Sequence, residues 1–381
     1  MSGRFVRAVC TAALIAGAAS VALPAPMASA APADPPDQPV SSLLSQLQSL
    51  YRKTEEATEK YNATEERLKK QRDQVKKIDE QLADARIALT GSRDAAGRLA
   101  REQYQGSSGT LSPYMGFLFS ADPQQALDRG HQLQRAAGQR AATVGRLTEN
   151  EKRAADLAGK AQDALNAQQT LAAQQKQQRD DVRKSLDQVE KMLASLTGEQ
   201  LSELRKLEQK DIGEAQRKLL ASGRLGRSAM PSALGGKALE YAYQQIGKPY
   251  VWGAAGPESF DCSGLTSQAW AHAGDIIPRT SQEQWKSLPK VPLDRIRPGD
   301  LVVYFEGATH VAIYIGNGLV IQAPRPGATV KVSPIAANPL LGVVRPDADA
   351  PPLRAYDPPA ALPRGSAGGS DAGYGGSGAP S

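Results

Sequence analysis

The sequence predicts two kinds of structure in series: a long antiparallel α-helical coiled-coil hairpin, then a compact α+β domain with a small antiparallel sheet. Three observations predict it. Apolar residues recur every seven positions from Leu47 to Leu99 and again from Leu133 to Leu196, the repeat of a coiled coil. From Leu234 to Pro346 the composition turns to Tyr, Trp, Val, Ile, Gly and Pro, with short β-type runs between turn residues. The whole chain is 23% charged and only 5% aromatic, which fits a long solvated helical part beside a smaller core.

The N-terminus carries Arg4 and Arg7, the apolar run Val9 to Leu23, then Ala28-Ser29-Ala30. That order reads as a signal peptide over residues 1–30 and predicts export to the cell wall or beyond. An uncleaved anchor is the alternative, although the run is short for a spanning helix of about 20 residues. Residues 31–42 are Pro-, Ala- and Asp-rich and read as a flexible lead. The net charge of +6 suits an anionic surface such as a bacterial wall. Lys and Arg alternate with Asp and Glu without a basic block, which argues against nucleic acid as the partner. Of the 2 Cys, Cys10 lies in the predicted signal peptide, so processing leaves Cys262 alone and excludes an internal disulfide.

The coiled-coil hairpin is expected over 43–222. Its first arm places Leu47, Thr54, Tyr61, Leu68, Val75, Leu82, Leu89 and Ala96 at one heptad position, with Leu50, Ala57, Thr64, Gln71, Ile78, Ala85, Ser92 and Leu99 three residues later. The second arm places Leu133, Leu147, Ala154, Ala161, Val182, Val189 and Leu196 in one row. Its partner row reads Ala137, Val144, Ala158, Leu165, Ala172, Leu186 and Leu193, and Leu201, Leu204 and Leu207 then shift the phase as a stutter. Arms of about 90 to 100 Å joined by one connector predict a hairpin; two helices in a parallel oligomer are the rival. Gln71, Arg140, Gln168, Gln175 and Arg179 weaken the seam, so the coil is able to bend or open. The connector, 104–123, breaks at Gly106-Ser107-Ser108-Gly109 and then clusters Leu111, Tyr114, Met115, Phe117, Leu118 and Phe119. Such a tip is either a self-packed cap or a docking patch.

Gly223, Gly226, Ser228, Pro231 and Ser232 mark a linker over 223–233. The domain that follows, 234–346, is expected to hold helices at Leu234–Ile246 and Cys262–Ala273. Short strands are expected at Leu301–Phe305, His310–Ile315, Leu319–Ala323, Val330–Val332 and Val343–Val344. Asn317-Gly318 is a hairpin turn between two of them. The Pro-, Gly- and Ser-rich tail, 347–381, reads as disordered.

Cys262 sits at the first turn of a predicted helix, where free N–H groups and the helix dipole favour the thiolate, the reactive form of cysteine. A buried structural Cys is the bland alternative. A nucleophilic Cys needs a base, and the chain has only 3 His. His131 lies in the coil, and His272 stands ten residues along the Cys262 helix, out of reach and placed to complement the helix C-terminus. His310, at the start of a strand, is the candidate. One mature Cys and scattered His build no metal site, and no cofactor is expected.

Four ordered segments then carry a resemblance: Gly247-Lys248-Pro249-Tyr250-Val251-Trp252-Gly253, Asp261-Cys262-Ser263-Gly264-Leu265, Arg297-Pro298-Gly299-Asp300-Leu301, and His310-Val311-Ala312-Ile313-Tyr314 with Gly316-Asn317-Gly318. Over Leu234 to Pro346 the chain resembles the NlpC-type cysteine peptidases of bacterial cell walls. The resemblance implies a papain-like α+β fold and cleavage of peptidoglycan stem peptides, commonly between D-glutamate and meso-diaminopimelate. It implies Cys262 as nucleophile, His310 as base and Tyr250 as the hydroxyl at the oxyanion site. The third catalytic position falls at Gln322, where many members have His; a neutral amide can orient the imidazole but stabilises its charge less than a carboxylate. Asp261 and Ser263 are implied as substrate contacts, whereas Arg279 is either a substrate contact or a structural ion-pair partner. A coil ahead of such a domain resembles actinobacterial division hydrolases of the RipC kind. In those the coil is thought to dock on the extracellular part of an FtsEX membrane complex and to restrain the enzyme. A catalytically inactive adaptor acting through its coil is the alternative function, and an amidase or acyltransferase on the same fold is a third.

Overall fold

The computed structural model describes residues 38–106, 123–226 and 229–357. The predicted signal peptide, most of the lead, most of the apolar tip and the end of the tail lie outside the described residues. From Val40 onward the chain forms one compact unit.

Two long helices make the hairpin, α1 (Val40–Gly106) and α2 (Pro123–Ala194). They run antiparallel: Gln71 Nε2 donates to the Ala164 carbonyl at 3.0 Å, and Arg93 meets Glu151 at 3.3 Å. Leu47, Thr54, Leu68, Leu82 and Ala85 are buried, as the heptad reading of α1 expects. The second arm departs from its reading. The partner row is three residues on from the first row, not four: Leu157 and Ala164 are buried while Val144 and Leu165 are exposed. Both rows carry apolar residues, so composition did not separate them; an unbroken 3–4 spacing through Ala154, Leu157, Ala161 and Ala164 does. Among the described residues no helix is long and apolar enough to cross a membrane.

The expected stutter is a break. The chain turns at Ser195–Leu196, and Thr197 caps a separate helix, α3 (Gly198–Ala221), with a reciprocal capping box to Gln200. Helix α3 keeps Leu204 buried among Leu43, Leu44, Leu47, Tyr51 and Val189 of the hairpin, and its far end carries Leu219 onto the C-terminal domain. The sequence could not separate these outcomes, because a phase shift within a helix and a restart of the helix leave the same apolar pattern.

The domain contains α4 (Ala233–Gln244), α5 (Cys262–Ala273), α6 (Ser281–Ser287) and six strands. These are β1 (Lys290–Val291), β2 (Leu301–Tyr304), β3 (His310–Gly316), β4 (Leu319–Gln322), β5 (Lys331–Pro334) and β6 (Leu340–Val344). The sheet order is β1-β6-β2-β3-β4-β5, and each pair of neighbours is antiparallel. Asn317 (φ 54°) and Gly318 (φ 70°) both take positive φ, as a tight hairpin turn requires. One sheet face packs Leu301, Val303, Val311 and Ile313 against Leu239 of α4 and Leu265 and Trp270 of α5. The opposite face, with Val302, Tyr304, Ala312 and Val320, receives Leu219 of α3 and Leu225.

Helix α6 and strand β1 were not expected; both are short and polar. Ordered contacts also continue past Pro346, the expected end of the domain. Arg297 pairs with Asp347 at 2.8 Å, and the Leu353 N–H donates to the Pro231 carbonyl at 2.8 Å. Charge and backbone hydrogen bonds hold this stretch, which a composition rich in Pro and Ala does not reveal.

Candidate active site

Asp261 caps α5, its Oδ1 accepting the Gly264 N–H at 2.6 Å, so Cys262 is the first residue of that helix. A Cβ on Gly264 would stand 2.2 Å from the Ala254 carbonyl oxygen. Only glycine lets the segment after Tyr250 cross the start of α5 this closely, and the Val251 N–H donates to the Phe260 carbonyl at 3.1 Å to fix the crossing. Tyr250 is therefore buried beside the sulfur. Burial raises its hydroxyl well above the ordinary tyrosine value, and a charge on Cys262 adds to the effect.

His310 opens β3, and Gln322 closes β4. In the register that pairs Ile313 with Ile321 the two side chains are diagonal neighbours on one sheet face. His310 Nε2 lies 2.7 Å from Gln322 Oε1, and Gln322 Nε2 donates to Ser333 Oγ at 2.8 Å. The amide carbonyl thus accepts the Nε2 proton and leaves Nδ1 as the working nitrogen, a tautomer assigned from this network.

Nδ1 does not meet the sulfur. It faces Glu55 Oε1 of α1 at 3.3 Å, with both side chains buried. The Cys262 Sγ contact is Glu59 Oε1, also of α1, at 3.9 Å. Glu59 further accepts the Ser263 hydroxyl at 2.7 Å and the Ser281 N–H at 2.7 Å. Asn62 donates to Asp261 Oδ2 at 3.0 Å, and Tyr61 meets Trp252 edge to face at 5.1 Å. About two turns of α1, from Glu55 to Asn62, fill the space in front of the cysteine.

Comparison with known proteins fits this geometry. Residues 247–341 match the NlpC/P60 family. The C-terminal domain of this chain is an NlpC/P60 domain. A probable endopeptidase of Corynebacterium glutamicum is 50% identical over 96 residues, which is 25% of this chain and 46% of the relative. A probable endopeptidase of Mycobacterium tuberculosis is 37% identical over 111 residues, 28% of this chain and 29% of the relative. This chain therefore spans less than half the length of these curated relatives. Among solved structures, RipD of M. tuberculosis, a non-catalytic NlpC/p60 domain protein, is 31% identical over 29% of this chain and 96% of its own, with a TM-score of 0.28.

Within the NlpC/P60 domain the remaining expected residues also converge. Arg279 makes two bonds to Asp261, at 2.9 and 2.7 Å, and a third to Ser263 Oγ at 2.9 Å. Of its two readings, the ion pair is the one the geometry contains. Asp261, Ser263 and Arg279 face α1, not open solvent. Glu59, Asp261 and Cys262 each bring one donor atom within 4.8 Å of the others, but Asp261 is already committed to Arg279, Asn62 and the Gly264 N–H. His272 lies on the far part of α5 and stacks on Tyr241 at 4.0 Å.

The electrostatics reverse one expectation. A helix start should favour a thiolate, yet burial, then the Glu59, Asp261 and Glu55 carboxylates, push the Cys262 thiol well above its ordinary value. Burial lowers His310, but Glu55 and Gln322 outweigh it and the net shift is upward. Burial and the Asp261 charge push Glu59 up to about 7. Sequence reading missed Glu55, Glu59 and Asn62 because they lie outside the seam, where charge is normally solvated. The one available signal was the run Thr54, Thr58, Asn62 and Thr64, residues of low helix propensity inside a long helix.

Proposed function

We propose that this chain is a secreted peptidoglycan hydrolase of the cell wall, acting in wall remodelling or division and restrained by its own coiled coil. The bond cut is D-glutamyl–meso-diaminopimelate in stem peptides. Cys262 is the nucleophile, His310 Nδ1 the base, Gln322 the group that orients the ring and Tyr250 the oxyanion donor. After α1 leaves, His310 takes the thiol proton, sulfur adds to the scissile carbonyl, and the Tyr250 hydroxyl faces the developing oxyanion. The His310 imidazolium then protonates the departing amine, and water releases the acyl group by the same steps in reverse order. Asp261, Ser263 and Arg279 become available to substrate only when α1 is gone.

The observation that carries this reading is the 2.7 Å bond between His310 Nε2 and Gln322 Oε1, in an NlpC/P60 domain whose Cys262 begins a helix. The restraint rests on Glu55 and Glu59 occupying the base and the nucleophile. A membrane partner of the FtsEX type, reached through the tip, remains the proposed release signal.

The test is a digestion of a diaminopimelate-containing tetrapeptide, products identified by mass. It uses the full chain, a chain beginning at Thr197, and the shorter chain with Cys262→Ala. Product from the shorter chain alone is expected. No product from any of the three would favour the inactive adaptor, and products of another bond would move the assignment to a different hydrolase.

A further inference from the structure

Resting on the restraint just described, we infer that α1 holds the two reactive groups in the wrong protonation states: Cys262 as a neutral thiol, and His310 as an imidazolium paired away from the sulfur. The closed chain is then inert toward electrophiles as well as shielded from substrate.

Charge placement and hydrogen-bond direction carry the argument. His310 Nε2 is hydrogen-bonded to Gln322 Oε1 at 2.7 Å, while the buried Glu55 Oε1 stands 3.3 Å from Nδ1 at ion-pair distance but outside hydrogen-bond geometry. An imidazolium sets its positive charge against that carboxylate; a neutral ring with its proton on Nε2 turns the Nδ1 lone pair toward it. On the other side a chain of donors converges on Glu59. Arg279 Nη1 donates to Ser263 Oγ at 2.9 Å, and of the two acceptors facing the Ser263 hydroxyl Glu59 Oε1 at 2.7 Å is nearer than Asp261 Oδ1 at 3.3 Å. The Ser281 N–H donates to Glu59 Oε2 at 2.7 Å. Glu59 is set as an acceptor, so the sulfur 3.9 Å away meets it through an S–H group. A thiolate there would face Glu59 directly, with Asp261 and Glu55 close by; its natural counter-ion, His310, is bound to Glu55, and Arg279 is bound to Asp261. A working Cys–His pair needs the opposite distribution, with the proton moved from sulfur to an imidazole that faces it.

Closure by simple coverage and closure by charge predict different spectra for the same full chain. In a Cys10→Ser background with His131→Asn and His272→Asn, the carbon signal of the Cys262 Cβ and the ring signals of His310 report each proton directly. At pH 7.5 the expected result is a Cys262 thiol beside a His310 ring protonated on both nitrogens. A thiolate at Cys262, or a neutral His310 ring, overturns the inference. A second measurement uses Glu59→Gln, which keeps shape and removes charge. The thiolate absorbance of that full chain should appear at least one pH unit lower than in the parent, and iodoacetamide should label it at least tenfold faster, sulfur displacing iodide. An unchanged titration in a Trp270→Phe, Trp285→Phe background whose Trp252 emission is also unchanged leaves coverage alone as the explanation. None of these readouts involves substrate, so a failed digestion would count against the proposed function without touching this inference.

Discussion

Two helices of the N-terminal half touch the same domain, and they do so with opposite chemistry. Helix α3 lies on the back of the sheet. Leu219, with Leu225 just beyond the helix, joins an apolar cluster there, Gln216 bonds both the Gly318 carbonyl and the Ala336 N–H, and Glu208 pairs with Arg325 at 2.9 Å. Helix α1 lies over the site itself and presents Glu55, Glu59 and Asn62, with two aromatic contacts, Tyr61 on Trp252 and the Tyr51 ring under Arg325. Apolar burial is gained without a compensating loss. A buried ion pair returns little more than its desolvation cost, although removing one partner is expensive. The contrast teaches that α3 ties the hairpin to the domain by apolar contacts at both of its ends, Leu204 in the hairpin and Leu219 on the sheet, whereas the α1 contacts with the site nearly balance. The helix break at Thr197 falls between the two.

The largest expected effect comes from removing the hairpin, and with it the balanced contact of α1 on the site. A chain beginning at Thr197 keeps α3 and loses the hairpin. If the closed state holds about 99% of the full chain, hydrolysis should rise about a hundredfold, measured as initial rate on the tetrapeptide. Equal rates would end the distinction drawn between the two helices. The α3 contact should answer in stability instead. Leu219→Ala with Leu225→Ala removes partly buried side chains from the back face and should cost about 2–4 kcal/mol, read as a lower Tm of the shorter chain, with Km little changed.

Much of this comparison was legible beforehand, and its limits have physical causes. The helix start at Cys262 and the strand start at His310 were legible because both are local properties of the chain, whereas Gln322 came from the family resemblance; the structure puts its amide on His310. The hairpin was found because seven-residue periodicity is local as well. The phase of the second arm was lost where Ala and Leu occupy both candidate rows, and α3 was read as coil because Leu204 and Leu207 do pack with the hairpin while only Leu219, further on, serves the sheet. Glu55 and Glu59 were invisible for a different reason. A glutamate on the outside of a coil and a glutamate buried against a cysteine some 200 residues away have the same local sequence, and only the fold tells them apart.

Protonation offers a finer separation of the two contacts. Burial and Asp261 raise Glu59 in the closed state to about 7, from an ordinary value of 4.5. A group raised on closing stabilises the closed state fully below its free value and loses that contribution as pH climbs to the raised one. For Glu59 the window is about 4.5 to 7. His310 is also raised, chiefly because Glu55 outweighs the effect of burial, so its contribution disappears above about 6.5, the free imidazole value. Both act in one direction. The rate of the full chain, divided by that of the chain beginning at Thr197, should increase at least tenfold between pH 5 and pH 8. The division removes the intrinsic titration of the dyad. The α3 variants should show the same rise of the ratio with pH, and a ratio that falls with pH would reverse the assignment of the latch to these two groups.

The smallest expected effect falls on an α1 contact that carries no charge. Tyr61 meets Trp252 edge to face at 5.1 Å and is only partly buried. Such a pair contributes about 0.5–1.5 kcal/mol beyond its burial. Tyr61→Ala should therefore raise the rate of the full chain about two- to tenfold without altering its pH dependence, because no proton is involved. An effect as large as deletion of the hairpin would mean that the aromatic contact, and not the carboxylates, holds α1 in place. A small, pH-independent gain would leave Glu55 and Glu59 as the groups whose removal opens the site.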